Sequence, residues 1–218
     1  MDPGSHPTLL DIGCSGGEAI QLLEDNGYER VKGIDASGTA IARGRRRGLD
    51  VDVMNATGTL FADESFDALI ASDVLEHIED ENQALVEWLR LLRGGGWLVV
   101  YVPAFMALWS EHDVVNDHFR RYRVKPLHDA LVAVGFEVEH ASYWNTGLFP
   151  VIWAIRRLFR SKAARGSGEG DLKPTAEPLN GILLQWLRIE NTLIARGIRM
   201  PVGVSAFAIA RKPNRGTF

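Results

Sequence analysis

Short apolar runs alternate with amphipathic segments along most of the chain. The runs typical of buried strands are Thr8–Ile12, Val31–Ile34, Val51–Met54, Phe66–Ala71, Trp97–Val102, Phe136–Ala141 and Val204–Ala210. Between them, apolar residues recur at helical spacing, as in segment 79–93, where Leu85, Trp88 and Leu89 share one face. Strands separated by helices pair in parallel through right-handed crossovers, so the pattern predicts an α/β fold with a doubly wound sheet.

Capping and stop signals give the expected helix boundaries. Ser37 is placed to cap a helix, and Asn26-Gly27 stops an earlier one. The glycines 94–96 are expected to end the helix over Glu79–Arg93. A further helix is predicted over Pro126–Val134.

Residues 145–203 interrupt the alternation of strands and helices. Two amphipathic helices are predicted there, separated by a Gly-rich and charged loop over 165–175. We therefore expect a single domain over residues 1–218 with a helical insertion before the last strand. Three uses of this insertion stay open: packing on the sheet, covering a site as a lid, or resting on an anionic bilayer.

Composition excludes several classes of protein. The chain has 218 residues, one cysteine and a formal net charge of −4, so it is neither a disulfide scaffold nor a multi-cysteine metal protein. Residues 1–144 hold 12 Lys and Arg against 24 Asp and Glu, whereas residues 145–218 hold 12 against 4. That acidic body argues against a nucleic-acid partner. The chain lacks an apolar run long enough to span a bilayer, and the cysteine usage predicts a reducing, cytoplasmic location.

The turn after the first strand is the strongest candidate for a ligand site. Glycines over Gly13–Gly17 allow a backbone to approach a ligand closely, and the following helix offers unpaired N–H groups. Asp35, at the end of the second strand, is positioned to accept ribose hydroxyls. A dinucleotide fingerprint requires glycine where Ser15 stands, while Asp11 suits a ligand with an amino group, such as S-adenosylmethionine.

The segments LDIGCSGG, GIDAS, SFDALIASDVLEHIED and LRGGGWLVVYVPA resemble, in order and spacing, the motifs of class I S-adenosylmethionine-dependent methyltransferases. LWSEHD, HFRRY and the closing PVGVSAFAIARKP resemble a bacterial small-molecule subgroup of that superfamily. The resemblance implies a seven-stranded, Rossmann-like sheet, mostly parallel with an antiparallel last strand. It also implies an enzyme that converts S-adenosylmethionine to S-adenosylhomocysteine. The cofactor-binding residues implied by it are Asp11, Gly13, Cys14, Ser15, Gly17, Asp35, Ala36, Asn55, Ala56, Ser72 and Asp73.

The chain departs from the family pattern at three places. Asn55 stands where an acid usually receives the adenine amine, and Ser15 replaces the usual middle glycine. The segment before the first strand is short, so a lid would be incomplete or built from the 145–203 insertion. Two alternatives to a methyltransferase therefore remain: a non-catalytic cofactor-binding subunit and a nicotinamide-dependent oxidoreductase.

Methyl transfer to a hydroxyl needs a base, and histidine suits that task near neutral pH. His77, His112 and His118 lie beyond strand ends and are the catalytic candidates for a small-molecule acceptor. The predicted substrate-binding residues are Arg121, Tyr122, Trp109 and Phe149. Asp73, Glu76 and His77 have the i, i+3, i+4 spacing of metal ligands on a helix, but we expect Asp73 to line the cofactor pocket, Glu76 to cap the next helix, and no metal.

Overall fold

The sheet has the seven strands that the sequence predicts. The structure, a computed structural model, describes residues 3–158 and 177–214. Within these residues the strands are β1 Thr8–Ile12, β2 Arg30–Asp35, β3 Val51–Val53, β4 Phe66–Ser72, β5 Leu92–Pro103, β6 Glu137–Trp144 and β7 Ser205–Arg211. Their order is β3-β2-β1-β4-β5-β7-β6. β7 pairs antiparallel with β5 and β6, and the other pairs are parallel, which confirms the predicted mixed sheet.

The helices follow the predicted alternation with one shifted boundary and one addition. They are α1 Glu18–Asp25, α2 Gly38–Arg46, α3 Glu81–Leu91, α4 Glu111–Val115, α5 Val124–Ala133, α6 Phe149–Leu158 and α7 Glu177–Ala195. Ser37 caps α2 as predicted, because its Oγ accepts the Ala40 N–H at 3.3 Å. The prediction for the glycines 94–96 was wrong: α3 ends at Leu91, and these glycines lie within β5, in an irregular stretch where Gly95 and Gly96 hydrogen-bond to Lys212 just after β7. Helix α4 was not predicted.

All strands except β7 run in one direction, so their carboxyl ends meet at one edge of the sheet. β6 is parallel to β5 because both are antiparallel to β7. The insertion after β6 therefore begins at the edge where β1, β2, β4 and β5 end. Helix α6 contacts the 3-10 turns Met106–Leu108 and Thr146–Leu148, and α7 contacts the second of them. Among the described residues, none of the helices combines the length and apolar character that crossing a bilayer requires. The predicted loop over 165–175 lies outside the described residues.

The largest fully buried side chain, Trp88 of α3, joins the core to the candidate ligand edge. Its ring is packed among the apolar residues beneath β4 and β5. Its Nε1 donates a 3.0 Å hydrogen bond to the carbonyl of Ala56, in the loop after β3. The core thus holds a loop that the sequence assigns to cofactor binding.

Replacing Trp88 by Phe should lower the free energy of unfolding by about 1–3 kcal/mol, because the partly buried Ala56 carbonyl loses its donor and the smaller ring fills less of the core. Chemical denaturation measures this difference. The half-exposed Trp186 gives the matched control, and its change to Phe should stay within about 0.5 kcal/mol. Equal effects of the two substitutions would contradict a stabilising role for the hydrogen bond between Trp88 and Ala56.

Candidate active site

A cleft of about 470 Å³ opens where β1, β2 and β4 end. Seven of the eleven predicted cofactor-binding residues line it: Gly13, Ser15, Asp35, Ala36, Asn55, Ala56 and Asp73. The other lining residues are Ile34, Met54, Val74, His77 and Ile78. The cleft is therefore walled by the first turn on one side and by the loops after β2, β3 and β4 on the others.

The turn after β1 is folded back against β2. Gly13 has φ +72°, and a Cβ there would overlap the Cγ2 of Val74 across the cleft. The N–H groups of Gly13 and Cys14 both donate to the Ile34 carbonyl, at 2.8 and 3.0 Å. Glycine is required at position 13 both for the backbone angle and for the space.

The Asp35 carboxylate organises the loops on both sides of the cleft. Its Oδ2 accepts the Ser15 N–H at 2.9 Å, and its Oδ1 accepts the Ser37 N–H at 2.7 Å. A carboxylate has about four acceptor positions, so two remain for the hydroxyls of a ribose. Ser15 itself has φ +48°, which is the conformation that the usual glycine would supply.

Four predicted cofactor residues do not line the cleft. Asp11 lies beneath the turn and is 4% exposed; burial first, and then the charges of Asp35 and Glu18, raise its pKa to about 7. Burial also raises the pKa of the Cys14 thiol to about 12, so this cysteine stays a neutral thiol. Gly17 has φ +86° and precedes α1, where a Cβ would overlap Leu49. Ser72 ends β4 and donates to Asp73.

Asn55 lines the cleft, but its side-chain carbonyl already has partners. The Oδ1 accepts both the N–H and the hydroxyl of Thr57, each at 2.9 Å. This hydrogen-bonded turn explains the Asn at this position without an adenine contact.

A second cavity of about 420 Å³ adjoins the cleft and contains all three predicted catalytic histidines. Its lining comprises Asp73, Glu76, His77, Pro103, His112, Asn116, His118, Arg121, Val204 and Ser205. Asp73 and His77 belong to both spaces. A group bound in the second cavity would therefore face a ligand in the cleft across these two side chains.

His118 is held by a buried carboxylate that sequence reasoning missed. The Nδ1 of His118 lies 2.9 Å from the Oδ1 of Asp113, which is fully buried. Arg121 donates to both Asp113 oxygens, at 2.7 and 3.0 Å. Burial alone would raise the pKa of Asp113, but the hydrogen bonds from Arg121 and from the Ser110 N–H lower it to about 2. The sequence signal for Asp113 is the capping box that it forms with Ser110 at the start of α4.

Glu76 is a fully buried carboxyl without a hydrogen-bond partner among the described residues. Burial, reinforced by the charge of Asp73, raises its pKa to about 8, so at pH 7 the carboxyl is mostly protonated. The predicted cap was wrong, because Asp80 caps α3 through the Gln83 N–H.

The metal-ligand spacing noted in the sequence does not bring Asp73 into a cluster. Leu75–His77 is a 3-10 turn, and Asp73 precedes it with φ +54°. The potential ligand atoms that lie within 4.8 Å of one another belong instead to Glu76, His77 and His118. One carboxylate and two imidazoles would suit a transition metal, although a protonated Glu76 would first have to lose its proton.

The predicted substrate-binding residues lie at different depths. The Arg121 side chain is nearly buried against Asp113 and lines the second cavity. Tyr122 is buried, and its hydroxyl donates to Glu81 at 2.7 Å. It lines a different cavity, which lies beside α5. The Trp109 ring lies 6.5 Å from the His118 ring, and Phe149 packs on Phe105 at 5.4 Å.

Comparison with known proteins finds methyltransferases that are similar to this chain. A methyltransferase domain family model matches residues 10–100. A Mycolicibacterium smegmatis protein described as a probable S-adenosylmethionine-dependent methyltransferase is 31% identical over 135 residues, 60% of this chain and 52% of its own length. The ubiquinone biosynthesis O-methyltransferase of Sinorhizobium medicae is 28% identical over 160 residues, 65% of this chain and 62% of its own length. A human protein named a probable tRNA methyltransferase is 31% identical over 125 residues, 56% of this chain and 25% of that protein.

Solved structures agree on the fold. Phosphoethanolamine N-methyltransferase 2 of Haemonchus contortus, in complex with S-adenosyl-L-methionine, superposes with a TM-score of 0.64 at 18% identity, over 95% of this chain and 49% of that one. Residues 10–100 thus match a methyltransferase domain, and the chain is similar to a probable S-adenosylmethionine-dependent methyltransferase. It spans 52% of the length of the Mycolicibacterium relative and less of the human one.

Proposed function

We propose that this protein transfers the methyl group of S-adenosylmethionine to a hydroxyl oxygen of a small molecule, with His118 as the general base. The cofactor occupies the cleft beside Asp35, and the acceptor occupies the adjoining cavity. The observation that carries this proposal is the hydrogen bond between His118 and the buried Asp113, at the wall of a cavity that shares Asp73 and His77 with the cleft.

Methyl transfer is an in-line displacement at the sulfonium carbon, and its leaving group is neutral. The protein's main task is to align the acceptor with the methyl group, which is worth roughly 7–11 kcal/mol in favourable models. Two adjoining spaces with a shared wall support such an alignment. Removal of the hydroxyl proton contributes a further 10²–10⁴-fold, approximately.

The partners of His118 favour the tautomer that a base needs. The ionised Asp113 can only accept hydrogen bonds, so the neutral His118 ring carries its proton on Nδ1. Its Nε2 then has a free lone pair for the acceptor proton. An amine nitrogen attacks through its own lone pair and needs no base before the transfer, so the dyad favours an oxygen acceptor over a nitrogen acceptor.

The charge distribution supports a small acceptor over a nucleic acid, although a relative carries the name of a tRNA methyltransferase. Residues 1–144, which contain both cavities' histidines, hold twice as many acidic as basic residues. A polyanion would be repelled by this body. The buried state of the single cysteine, Cys14, agrees with a reducing, cytoplasmic compartment as part of the same proposal.

Two measurements on the purified chain test this function. Calorimetry with S-adenosylmethionine, S-adenosylhomocysteine and NAD should give heat for the first two only. Labelled methyl transfer to a panel of phenols, alcohols and amines should then label hydroxyl compounds. Binding of NAD alone would support the oxidoreductase alternative, and cofactor binding without transfer to any compound would support the non-catalytic subunit.

A further inference from the structure

Two helices of the insertion and the turn after the second one leave large apolar side chains in contact with solvent. We call the residues concerned the α6–α7 surface. They are Val151, Trp153, Leu184, Trp186, Ile189 and Ile198, and each is between 42% and 54% exposed. This concentration of exposed apolar area in one short region is unusual for surfaces that face only water.

The exposed charged side chains that the structure describes in α6, in α7 and in the turn after α7 are arginines. Arg157, Arg188, Arg196 and Arg199 are exposed, and the Arg157 guanidinium lies 5.3 Å from the centre of the Trp153 ring. The one acidic side chain that the structure describes in α6 and α7, Glu190, is buried and accepts the Thr146 N–H and hydroxyl. Apolar and cationic groups are thus presented together.

We propose that the α6–α7 surface docks this protein peripherally on an anionic phospholipid bilayer. Tryptophan favours the boundary between headgroups and acyl chains, and arginine pairs with anionic headgroups. The helices lie on such a bilayer, because none of the described helices is suited to span one. The anionic headgroups repel the acidic body of residues 1–144, so the molecule has one favoured orientation on the bilayer.

Charge also separates the bilayer from the other possible occupants. In a symmetric dimer through this surface, the arginines of one copy would face those of the other, and like charges at an interface are unfavourable. A protein partner would have to be acidic and apolar at once. An anionic bilayer supplies both properties over an extended plane.

The docking surface is connected to the proposed acceptor cavity. Phe149, at the start of α6, packs on Phe105 just beyond β5. Arg156, in the same helix, lies 4.0 Å from the Oδ2 of Asp113, whose other oxygen, Oδ1, holds His118. Docking would therefore bring the cavity next to the bilayer. The bilayer contact does not depend on the methyl transfer proposed above.

Sedimentation with lipid vesicles tests the proposal on the full chain. Vesicles of phosphatidylcholine with about 30% phosphatidylglycerol should bind the protein, and pure phosphatidylcholine should bind it weakly. The double variant Arg188→Gln/Arg196→Gln should weaken binding about 20-fold, whereas Arg43→Gln/Arg46→Gln, an equal charge change on exposed residues of α2, should not. Salt at about 0.5 M should also weaken it.

The apolar part needs its own pair of variants. Trp153→Gln/Ile189→Gln should reduce vesicle binding, and Leu60→Gln/Val86→Gln, which alters exposed apolar residues elsewhere, should leave it unchanged. Failure to bind anionic vesicles, or equal effects of the surface and control variants, would overturn the proposal. A dimer detected by light scattering and abolished by the surface variants would assign the surface to a second copy instead. Calorimetric cofactor binding reports on the proposed function separately.

Discussion

Replacing His118 by Asn should lower kcat for methyl transfer to a hydroxyl about 10²–10⁴-fold, because the base is removed while the shape of the cavity is largely kept. Asp113→Asn should have a similar effect through His118. The amide nitrogen would donate to Nδ1, so the ring would carry its proton on Nε2 and could not accept one. The pKa of Asp113 at about 2 means that the native carboxylate stays ionised over the whole working range of pH.

Several readouts keep this prediction distinct from a loss of structure. Cofactor affinity by calorimetry and the unfolding transition should stay close to wild type in His118→Asn. His112→Asn is the matched control, because His112 is exposed on α4 and bonded to Asn116 and should lose less than about threefold. A folded His118→Asn protein with full activity, or a larger loss in the His112 variant, would remove His118 as the base.

The affinity for S-adenosylmethionine should rise with pH, by up to about tenfold per unit between pH 5 and 7. The pKa of Asp11 is about 7 in the empty protein, so below this value the carboxyl carries a proton. The resemblance to methyltransferases implies that Asp11 pairs with the ammonium group of the cofactor. We propose that this charge acts through the turn that covers the Asp11 carboxyl and favours its ionised form, so that binding releases a proton. Above about pH 8 the cofactor's α-amino group loses its own proton, and the affinity should fall again.

The raised pKa of Asp11 has the opposite effect on the empty protein, whose free energy of unfolding falls as pH rises. The folded state holds the Asp11 proton up to pH of about 7, whereas the unfolded chain loses it near 3.8. The stabilisation is therefore fully present below pH 3.8 and is lost as pH rises through 7, with a slope of at most about 1.4 kcal/mol per pH unit. Thermal unfolding of the empty protein between pH 5 and 8 should show this decline.

The variant Asp11→Asn tests whether Asp11, rather than another titrating group, causes the pH dependence of cofactor affinity. The variant should bind the cofactor about 30- to 3000-fold more weakly, in line with the loss of a buried charge partner, and its affinity should no longer rise between pH 5 and 7. The control is Glu18→Gln, an exposed neighbour that raises the pKa of Asp11 only through its charge and should shift the pH dependence slightly downward. Cofactor binding without proton uptake or release, measured in buffers of different ionisation enthalpy, would contradict the prediction that Asp11 loses its proton when the cofactor binds.

The sequence alone predicts the order of the strands along the chain and the first ligand-binding turn. Each strand is indicated by a local apolar run. The turn over Gly13–Gly17 is indicated by its glycines, two of which have positive φ angles that side chains disfavour. Ser37 is equally local, because a cap depends on residues three positions apart. By contrast, glycines 94–96 were misassigned because their hydrogen-bond partner, Lys212 just after β7, lies far away in the sequence.

Only the tertiary structure determines which side chains meet in the candidate acceptor cavity. His77 follows β4 and His118 follows α4, yet their rings meet at 4.5 Å because β4 and β5 are adjacent in the sheet. The same packing places Asp113 under His118 and leaves the Glu76 carboxyl buried, with no hydrogen-bond partner within residues 3–158 and 177–214. Helical periodicity and glycine turns are properties of neighbouring residues, whereas distances between side chains at the ends of different strands, and the pKa shifts that follow from their burial, exist only once the sheet has assembled.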